Sequence, residues 1–398
     1  MRRNIRRPII ALLLVSLPLA TTLVVAQSGS PAVASASGLD LAAIDRRADP
    51  CTDFYQFACG EWTARNQIPP DRARWGRFDE LQEKNNTILR RILDEAALGR
   101  DAESRKIGDY YASCMDEAGV EQKGAAPLAA HLKAVASLGS VGDLPDLLGR
   151  LHVTGARAFF NFGAEADFKD AKMMIAALDQ GGLGLPDRDY YFRDDPKSTD
   201  IRRQYVEHVA NMTALSGTPQ PQAARAADAA MRIETALAKG ALDAVSRRDP
   251  AKIYHKMTLP EVQALTPGFD WARYFRSAGA PPLKTVNVSE PAFFTGFGQL
   301  LASSSLADIK AYLTWYAAHA NANMLSSAFV TENFRFYNAT LQGALQLRDR
   351  WRRCVQYTDG DLGEALGQAF VKEAFGTQAK ADMLNMVHAV EGALEQDI

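Results

Sequence analysis

Apolar residues recur at helical spacing through most of the chain after residue 78. Three successive stripes show the pattern, at residues 81–93, 107–118 and 128–138. Residues three or four apart lie on one face of a helix, so each stripe predicts an amphipathic helix. Gly99 follows the first stripe, where a C-terminal cap is expected, and Pro127 precedes the third, at a favoured first helical position.

The same periodicity resumes after residue 200 and predicts helices to the end of the sequence. Thr258 and Glu261 have the spacing of a capping box, and Ser305 begins a further helix. The other expected features are a stripe over Ile201–Leu215, an alanine-rich helix over about Ala223–Val245, and loops around Asp359–Gly360 and Gly376. The last stripe is still amphipathic at Ile398, and we expect from this that the sequence is truncated.

One interruption of the helical pattern predicts β structure. Ala158–Phe162 and Met173–Leu178 are short apolar runs around a polar segment, Glu165–Asp170, which is typical of a hairpin. Gly181–Phe192 follows and is punctuated by glycine and proline, so we expect an ordered loop. The predicted fold class is therefore mainly α, a multi-helix domain with one small β-hairpin.

A strip from Pro50 to Gln82 differs from the rest of the chain. It contains two of the four cysteines and a dense set of aromatic residues interrupted by Pro69-Pro70. These features predict a segment that packs against another surface rather than a self-contained unit.

The N-terminus has the features of an export signal. Four arginines within the first seven residues precede an apolar run, Pro8–Ala26, and small residues near Ala26 and Ala36 are possible cleavage sites. An uncleaved membrane anchor is the alternative, since the run is almost long enough to span a bilayer. Either reading places the bulk of the chain outside the cytoplasm, in the periplasm or the extracellular space. Ser28–Gly38 is small and polar and predicts a flexible tether.

Charge and cysteine content narrow the functional classes. The 398 residues have a formal net charge of −2, which offers no basic surface for nucleic acid. An exported chain can form disulfides, but Cys51, Cys59, Cys114 and Cys354 allow three pairings and the residues alone do not choose among them.

Candidate catalytic chemistry is sparse. A zinc protease helix needs two histidines one turn apart with a glutamate beside them, and none of the six histidines has that pattern. His388 and Glu391 are expected to form a surface helix pair, His208 to lie at the edge of a packed face, and His255 to contact local backbone. No nucleophile elbow, phosphate loop or dinucleotide fingerprint is present. No residue of this chain is therefore predicted to be catalytic or to bind a metal.

Several longer motifs occur in order: PCTDFYQFACGEW, RNQIPPDRARWGRFDEL, YYASCMDE, LDQGGLGLPDRDYYF, RRDPAKIYHKMTLPEVQAL and RWRRCVQYTDGDLGEALGQAFVKEAF. With these motifs, residues from about Leu41 to Ile398 closely resemble the N-terminal half of the neprilysin-like zinc metallopeptidases. This family includes endothelin-converting enzyme and bacterial oligopeptidases.

The resemblance implies an extracytoplasmic endopeptidase that cuts small peptides on the amino side of apolar residues. Two largely helical domains enclose a central cavity, and zinc is held by H-E-x-x-H and a downstream glutamate in the C-terminal half. This sequence ends before those residues. The resemblance assigns the strip to the absent thermolysin-like catalytic domain. The expected domain organisation is a signal and tether at 1–36, a segment at 37–100 that packs on the catalytic domain, and a truncated helical domain at 101–398.

The resemblance also implies roles for the cysteines. Cys114 and Cys354 match a family disulfide, which the chain-entropy model values at roughly 4–5 kcal/mol. Cys51 and Cys59 match cysteines whose partners lie in the missing half, so here they are expected to be free, mispaired or bonded to each other, or kept reduced as in bacterial relatives. With Phe54, Tyr55 and Trp62 they would form an exposed, aggregation-prone surface.

One substrate contact follows from the resemblance. Arg74 matches a family arginine that binds the terminal carboxylate of the substrate, a task that suits the forked guanidinium. Arg74 could instead be solvated, or pair with Asp71 or Asp79. A second family arginine falls on Gln82, and this departure would weaken the carboxylate anchor and favour plain endopeptidase activity.

The sequence therefore predicts the N-terminal part of an exported zinc metalloendopeptidase, inactive alone because the zinc half is missing. Its expected partners are peptide substrates and that missing half. Two alternatives remain open: a non-catalytic periplasmic peptide-binding protein, and one half of a split peptidase whose other half docks on the strip.

Overall fold

A computed structural model describes residues 40–99 and 101–397. The predicted export signal, its tether and Ile398 lie outside the described residues. Among the residues described, none of the helices combines the length and the apolarity that a bilayer crossing requires.

The chain divides into two compact units, Met1–Gln67 and Ile68–Ile398, so the division falls within the strip. The described part of the first unit holds a 3₁₀ turn, Leu41–Ala43, and helix α1, Phe54–Arg65. The side chain of Asp53 accepts from the backbone N–H of Gln56 and caps α1. Phe54 and Tyr55 are exposed as expected, whereas Trp62 is half-buried rather than exposed.

The second unit is built mainly from helices, and the mainly α fold is confirmed. In chain order these are α2 Arg77–Ala96, α3 Ala102–Met115, α4 Glu117–Lys123, α5 Ala129–Ala136, α6 Leu144–Val153, α7 Asp189–Phe192, α8 Pro196–Leu215, α9 Gln220–Gly240, α10 Pro250–Ile253, α11 Leu259–Leu265, α12 Trp271–Ser277, α13 Pro291–Ser303, α14 Leu306–Asn321, α15 Ser327–Asn333, α16 Arg350–Ala374 and α17 Thr377–Asp397. A π-helix, Phe334–Thr340, follows α15 directly. Short 3₁₀ turns occur at Ala126–Leu128, Val141–Asp143, Ser246–Arg248 and Ala322–Met324.

The two helix starts predicted from capping residues are both present. Thr258 and Glu261 form the predicted capping box at the start of α11, and Ser305 caps α14 through the backbone N–H of Asp308. The alanine-rich helix α9 begins three residues earlier than predicted and ends at Gly240 instead of Val245.

The predicted hairpin is present and belongs to a larger sheet. Strands β1, Phe160–Asp167, and β2, Asp170–Gln180, pair antiparallel. The strands β3, Lys256–Thr258, and β4, Thr285–Val288, extend the sheet in the order β1-β2-β4-β3, with β2 and β4 parallel. Both were missed because three or four residues are too short to establish an alternating pattern.

The larger core is rich in aromatic side chains. The Phe160 ring lies 5.2 Å from that of Trp271 and 5.0 Å from that of Tyr274, and all three side chains are fully buried. Aromatic pairs at such spacings contribute about 0.5–1.5 kcal/mol each beyond their buried area. This cluster joins β1 to α12.

A second, smaller core lies between α2, α3 and α16. Leu93, Tyr111 and Val355 are buried in it, one from each helix. A disulfide between Cys114 and Cys354 joins α3 to α16, with the two Cα atoms 5.7 Å apart, and this is the pairing that the resemblance implies. The disulfide therefore connects segments that are 240 residues apart in the chain.

The prediction of a loop around Asp359–Gly360 is wrong. Both residues lie inside α16, and the helical backbone is interrupted only at Leu362 among the residues of that helix. Buried residues on either side, Val355 and Leu366, hold the helix against the second core, which outweighs the low helix propensity of glycine. The break near Gly376 is confirmed, since α16 ends at Ala374 and α17 begins at Thr377.

Candidate functional site

The loop that precedes α2 is fixed against the segment that precedes α16. The backbone N–H groups of Leu345 and Gln346 both donate to the carbonyl of Pro70, at 2.8 and 3.0 Å. The Pro69-Pro70 pair in the strip is thereby bound within the second unit, and it places the next residues beside Arg348.

A groove of about 600 Å³ lies along this loop, and we call it the arginine groove. Its charged lining consists of Arg72, Arg74, Arg348, Arg353, Asp71 and Asp79. The remainder of the lining is mostly amide and aromatic, including Gln356 and Tyr357. Its volume falls in the range of sites that bind small molecules or peptide ends.

One glutamate on α2 organises the arginines behind the groove. Glu83 accepts from Arg348 Nη2 at 3.2 Å and from Arg352 Nε at 2.8 Å, and it also pairs with Arg72. Burial alone would raise the pKa of Glu83, but the hydrogen bond from Arg352 and the three positive charges outweigh burial and lower it.

The arginines of this cluster also affect one another. Burial lowers the pKa of Arg348, and the neighbouring charge of Arg72 lowers it further. The Arg72 guanidinium lies over the Trp75 ring, 5.3 Å from its centroid. The groove wall is thus strongly cationic, and Glu83 is the carboxylate that three arginines of this cluster share.

Arg74 lies at the mouth of the arginine groove with its side chain exposed. It makes no hydrogen bond or ion pair with any residue that the structure describes. The alternative pairing with Asp79 is not observed, since Asp79 contacts Arg72 instead, at 3.7 Å. Its role in substrate binding remains a prediction.

Gln82, where the resemblance places a second arginine, lies outside the arginine groove. It lines a separate groove of about 360 Å³ together with Phe78, Leu81 and Phe370. Sequence reasoning missed the other arginines in and behind the groove, Arg72, Arg348, Arg352 and Arg353. The run RDRWRRC, from Arg348 into the start of α16, was the available signal for the last three.

The two cysteines of the strip are free thiols in the structure, Cys51 exposed and Cys59 half-buried. This is one of the states that the resemblance left open for them.

The histidines occupy structural positions. His208 is fully buried, not at the edge of a packed face as predicted, and its Nδ1 lies 2.8 Å from Glu332 Oε1. His255 contacts backbone as expected, with Nδ1 3.1 Å from the Val288 carbonyl. His388 and Glu391 form the predicted exposed pair at 3.0 Å. In residues 40–99 and 101–397, no three His, Cys, Asp or Glu side chains are grouped so that they could hold a metal ion.

A buried polar centre was also missed. The carboxylate of Glu234, on α9, is fully buried and accepts from Tyr191, Tyr205, Trp315 and the backbone N–H of Gly184. Burial raises the pKa of Glu234 despite these donors. The only sign of this centre in the sequence is a single glutamate in an alanine-rich helix. That pattern does not identify the side chains that donate hydrogen bonds to Glu234.

Comparison with known proteins yields one family and several solved structures. The family model described as Peptidase family M13 matches residues 50–398. Endothelin-converting enzyme 1 of Bos taurus is 28% identical over 386 residues, which cover 93% of this chain and 50% of that protein. The human enzyme is also 28% identical, over 382 residues and 49% of its length.

Solved structures agree with the fold. A crystal structure of the Mycobacterium tuberculosis zinc metalloprotease Zmp1 with an inhibitor is 34% identical with a TM-score of 0.81, and the match covers 87% of this chain and 53% of that one. PepO from Lactobacillus rhamnosis has the same fold at 19% identity, with a TM-score of 0.75. The chain spans about half the length of the relatives that it matches.

Proposed function

The chain belongs to peptidase family M13, and from that premise we propose that it is the N-terminal part of an exported zinc metalloendopeptidase that cleaves small peptides at apolar residues. The similarity to a mycobacterial zinc metalloprotease and to endothelin-converting enzymes supports the proposal. Peptide substrates would then be the ligands of the arginine groove.

The observation that supports this role best is the state of Arg74. Its guanidinium is exposed at a preformed groove and has no carboxylate partner among the described residues. A guanidinium can bind a carboxylate through two parallel hydrogen bonds, so a peptide's terminal carboxylate is a suitable ligand. In this proposal Arg74 binds and orients the end of the substrate.

In this proposal the metal chemistry belongs to a part of the enzyme that lies outside these 398 residues. The sequence contains no H-E-x-x-H, and the described side chains do not fit a zinc site. When bound, zinc would activate water for attack on the peptide bond. We propose that a C-terminal half holds the zinc and that the 398-residue chain alone has no peptidase activity.

An activity assay and one sequence observation test the catalytic part of the proposal. The chain is first assayed with zinc and a fluorogenic peptide, and no cleavage is expected. Cleavage that a chelator abolishes would contradict the proposed inactivity. The nucleotide sequence beyond Ile398 is then read for an open frame that encodes H-E-x-x-H. Such a frame would show that the zinc half exists.

The second measurement is peptide binding to the chain itself. A labelled peptide with a free terminal carboxylate should bind about tenfold more tightly than its amide, and Arg74→Gln should remove that difference. Arg225→Gln, an exposed arginine on α9 outside the groove, is the matched control. An equal affinity for acid and amide in the unaltered chain would overturn the assignment of Arg74.

The same groove favours one alternative, a non-catalytic periplasmic peptide-binding protein, because its walls are formed within this chain. That alternative predicts the same binding results with no zinc half encoded downstream. A zinc half encoded as a separate chain would instead indicate a split peptidase.

A further inference from the structure

We infer that Arg353 is a second anion-binding side chain of the arginine groove, and that Arg74 and Arg353 together bind peptides with an acidic side chain close to the terminal carboxylate. This inference rests on the proposed function, because it assigns the terminal carboxylate to Arg74. It adds a preference for peptides with an acidic residue near the C-terminus. Arg353, which is distant from Arg74 in the sequence, sets this preference.

Two of the four arginines that line the groove already have a carboxylate partner. Arg72 and Arg348 both pair with Glu83. Arg74 and Arg353 line the same groove, and neither forms an ion pair with a residue that the structure describes. Two arginines that line one groove therefore have no ion-pair partner among the described residues.

The aspartates of the lining do not supply that counter-charge. Asp79 lies 3.7 Å from Arg72. Asp71 forms no ion pair with Arg74 or Arg353 among the described residues. Four arginines and two aspartates line the groove, which leaves an excess of positive charge for a ligand.

The side chain of Arg353 is also held in a position to bind a carboxylate of the ligand. Its Nε donates to the backbone carbonyl of Arg348 at 3.1 Å, and the side chain is half-buried beside Tyr357. A side chain fixed at Nε loses less conformational freedom when its outer nitrogens bind a ligand. The chemistry that these nitrogens recognise is a second carboxylate.

The test is equilibrium binding of fluorescein-labelled octapeptides to the 398-residue chain. The peptides share one neutral sequence and a free terminal carboxylate, and they differ by Glu or Gln at one, two or three positions before the last residue. At the best position the Glu peptide should bind about tenfold more tightly than the Gln peptide. The preference should weaken as salt concentration rises.

Three variants assign the preference to a residue. Arg353→Gln should reduce the Glu-to-Gln ratio to about one while the ratio of free acid to amide persists. Arg353→Lys keeps the charge but loses the planar fork, so it should retain part of the preference, at roughly threefold. Arg225→Gln should leave both ratios unchanged, and thermal unfolding of each variant shows whether it is folded.

The outcomes separate this inference from the proposed function. A Glu-to-Gln ratio near one at every position, or a ratio that Arg353→Gln does not change, overturns the inference and leaves the role of Arg74 intact. Equal binding of acid and amide contradicts the proposed function instead. If no peptide binds at all, both are overturned for this chain.

Discussion

The hydroxyl of Tyr205 donates to the carboxylate of Glu234 at 2.7 Å, and both side chains are fully buried. Trp315 Nε1 and the backbone N–H of Gly184 donate to the same carboxylate, at 3.0 and 3.2 Å. Glu234 thereby connects α8, α9 and α14 to the loop that begins at Gly181. A buried carboxylate of this kind is stable only while its donors are present.

Removing one donor from Glu234 should have a moderate cost. Tyr205→Phe should lower the free energy of unfolding by about 1–2 kcal/mol, because one buried hydrogen bond is lost. Glu234→Gln should cost more, about 3 kcal/mol, since an amide nitrogen would then face groups that donate. Urea denaturation measures both. The control is Tyr190→Phe, because the Tyr190 hydroxyl bonds to no described residue, and it should change the free energy of unfolding by less than about 0.5 kcal/mol. If Tyr205→Phe changes the free energy of unfolding no more than Tyr190→Phe does, the prediction is contradicted.

The disulfide should be a major source of stability for the second core. Replacing both Cys114 and Cys354 by serine should lower the free energy of unfolding by about 4–5 kcal/mol, because the bond closes a long loop in the unfolded chain. Urea unfolding with and without a reductant measures the change. Reductant should destabilise the unaltered chain and have no effect on the double variant. Cys51→Ser with Cys59→Ser is the control, and a similar loss there would refute the assignment.

Local signals in the sequence predicted much of the fold. The capping box at Thr258 and the hairpin over Phe160–Gln180 depend on neighbouring residues, and both are present. The error at Asp359–Gly360 arose because packing of Val355 and Leu366 on the second core decides the helix there. Such contacts join segments that are distant in the chain, and a local pattern does not contain them.

The candidate site was only partly predictable for the same reason. Arg74 was identified through the resemblance, from a motif within one short segment. Its neighbours Arg348 and Arg353 come from a distant segment, which hydrogen bonds to the Pro70 carbonyl and to Glu83 hold beside this loop. The arrangement around Glu83 likewise depends on three arginines from two distant regions, so periodicity and spacing did not reveal it.

Glu290 should make stability depend on pH near neutrality. Burial and the adjacent carboxylate of Asp179 raise the pKa of Glu290 to about 8, above its usual value of 4.5. A carboxyl group whose pKa is raised in the folded state favours folding while it is protonated, so this contribution is lost as pH rises from about 5 to 8. Urea unfolding of the unaltered chain should therefore show a loss of stability over this range that Glu290→Gln does not show.

Arg247, the Gln180 backbone and Asp179 face Glu290, and a substitution of Asp179 provides the control for that measurement. Arg247 Nε lies 3.6 Å from Glu290 Oε1, and the backbone N–H of Gln180 donates to Oε2 at 3.0 Å. Asp179→Asn removes the neighbouring negative charge, so the pKa of Glu290 should fall and the pH dependence should shrink. Identical pH dependence in all three proteins would rule out Glu290 as its source.

Glu83 should be essential for the arginine groove. Glu83→Gln removes the charge that Arg72, Arg348 and Arg352 share. Arg72 and Arg352 then keep only their contacts with Asp79 and Asp349, and Arg348 loses its ion pair. The expected loss is about 2–4 kcal/mol in the free energy of unfolding, measured by urea denaturation. This is somewhat less than the roughly 3–5 kcal/mol for a fully buried pair, because Glu83 is partly exposed. Glu95→Gln, which breaks an exposed pair with Arg91 on the same helix, should cost less than about 0.5 kcal/mol. If the two substitutions cost the same, Glu83 does not organise the groove.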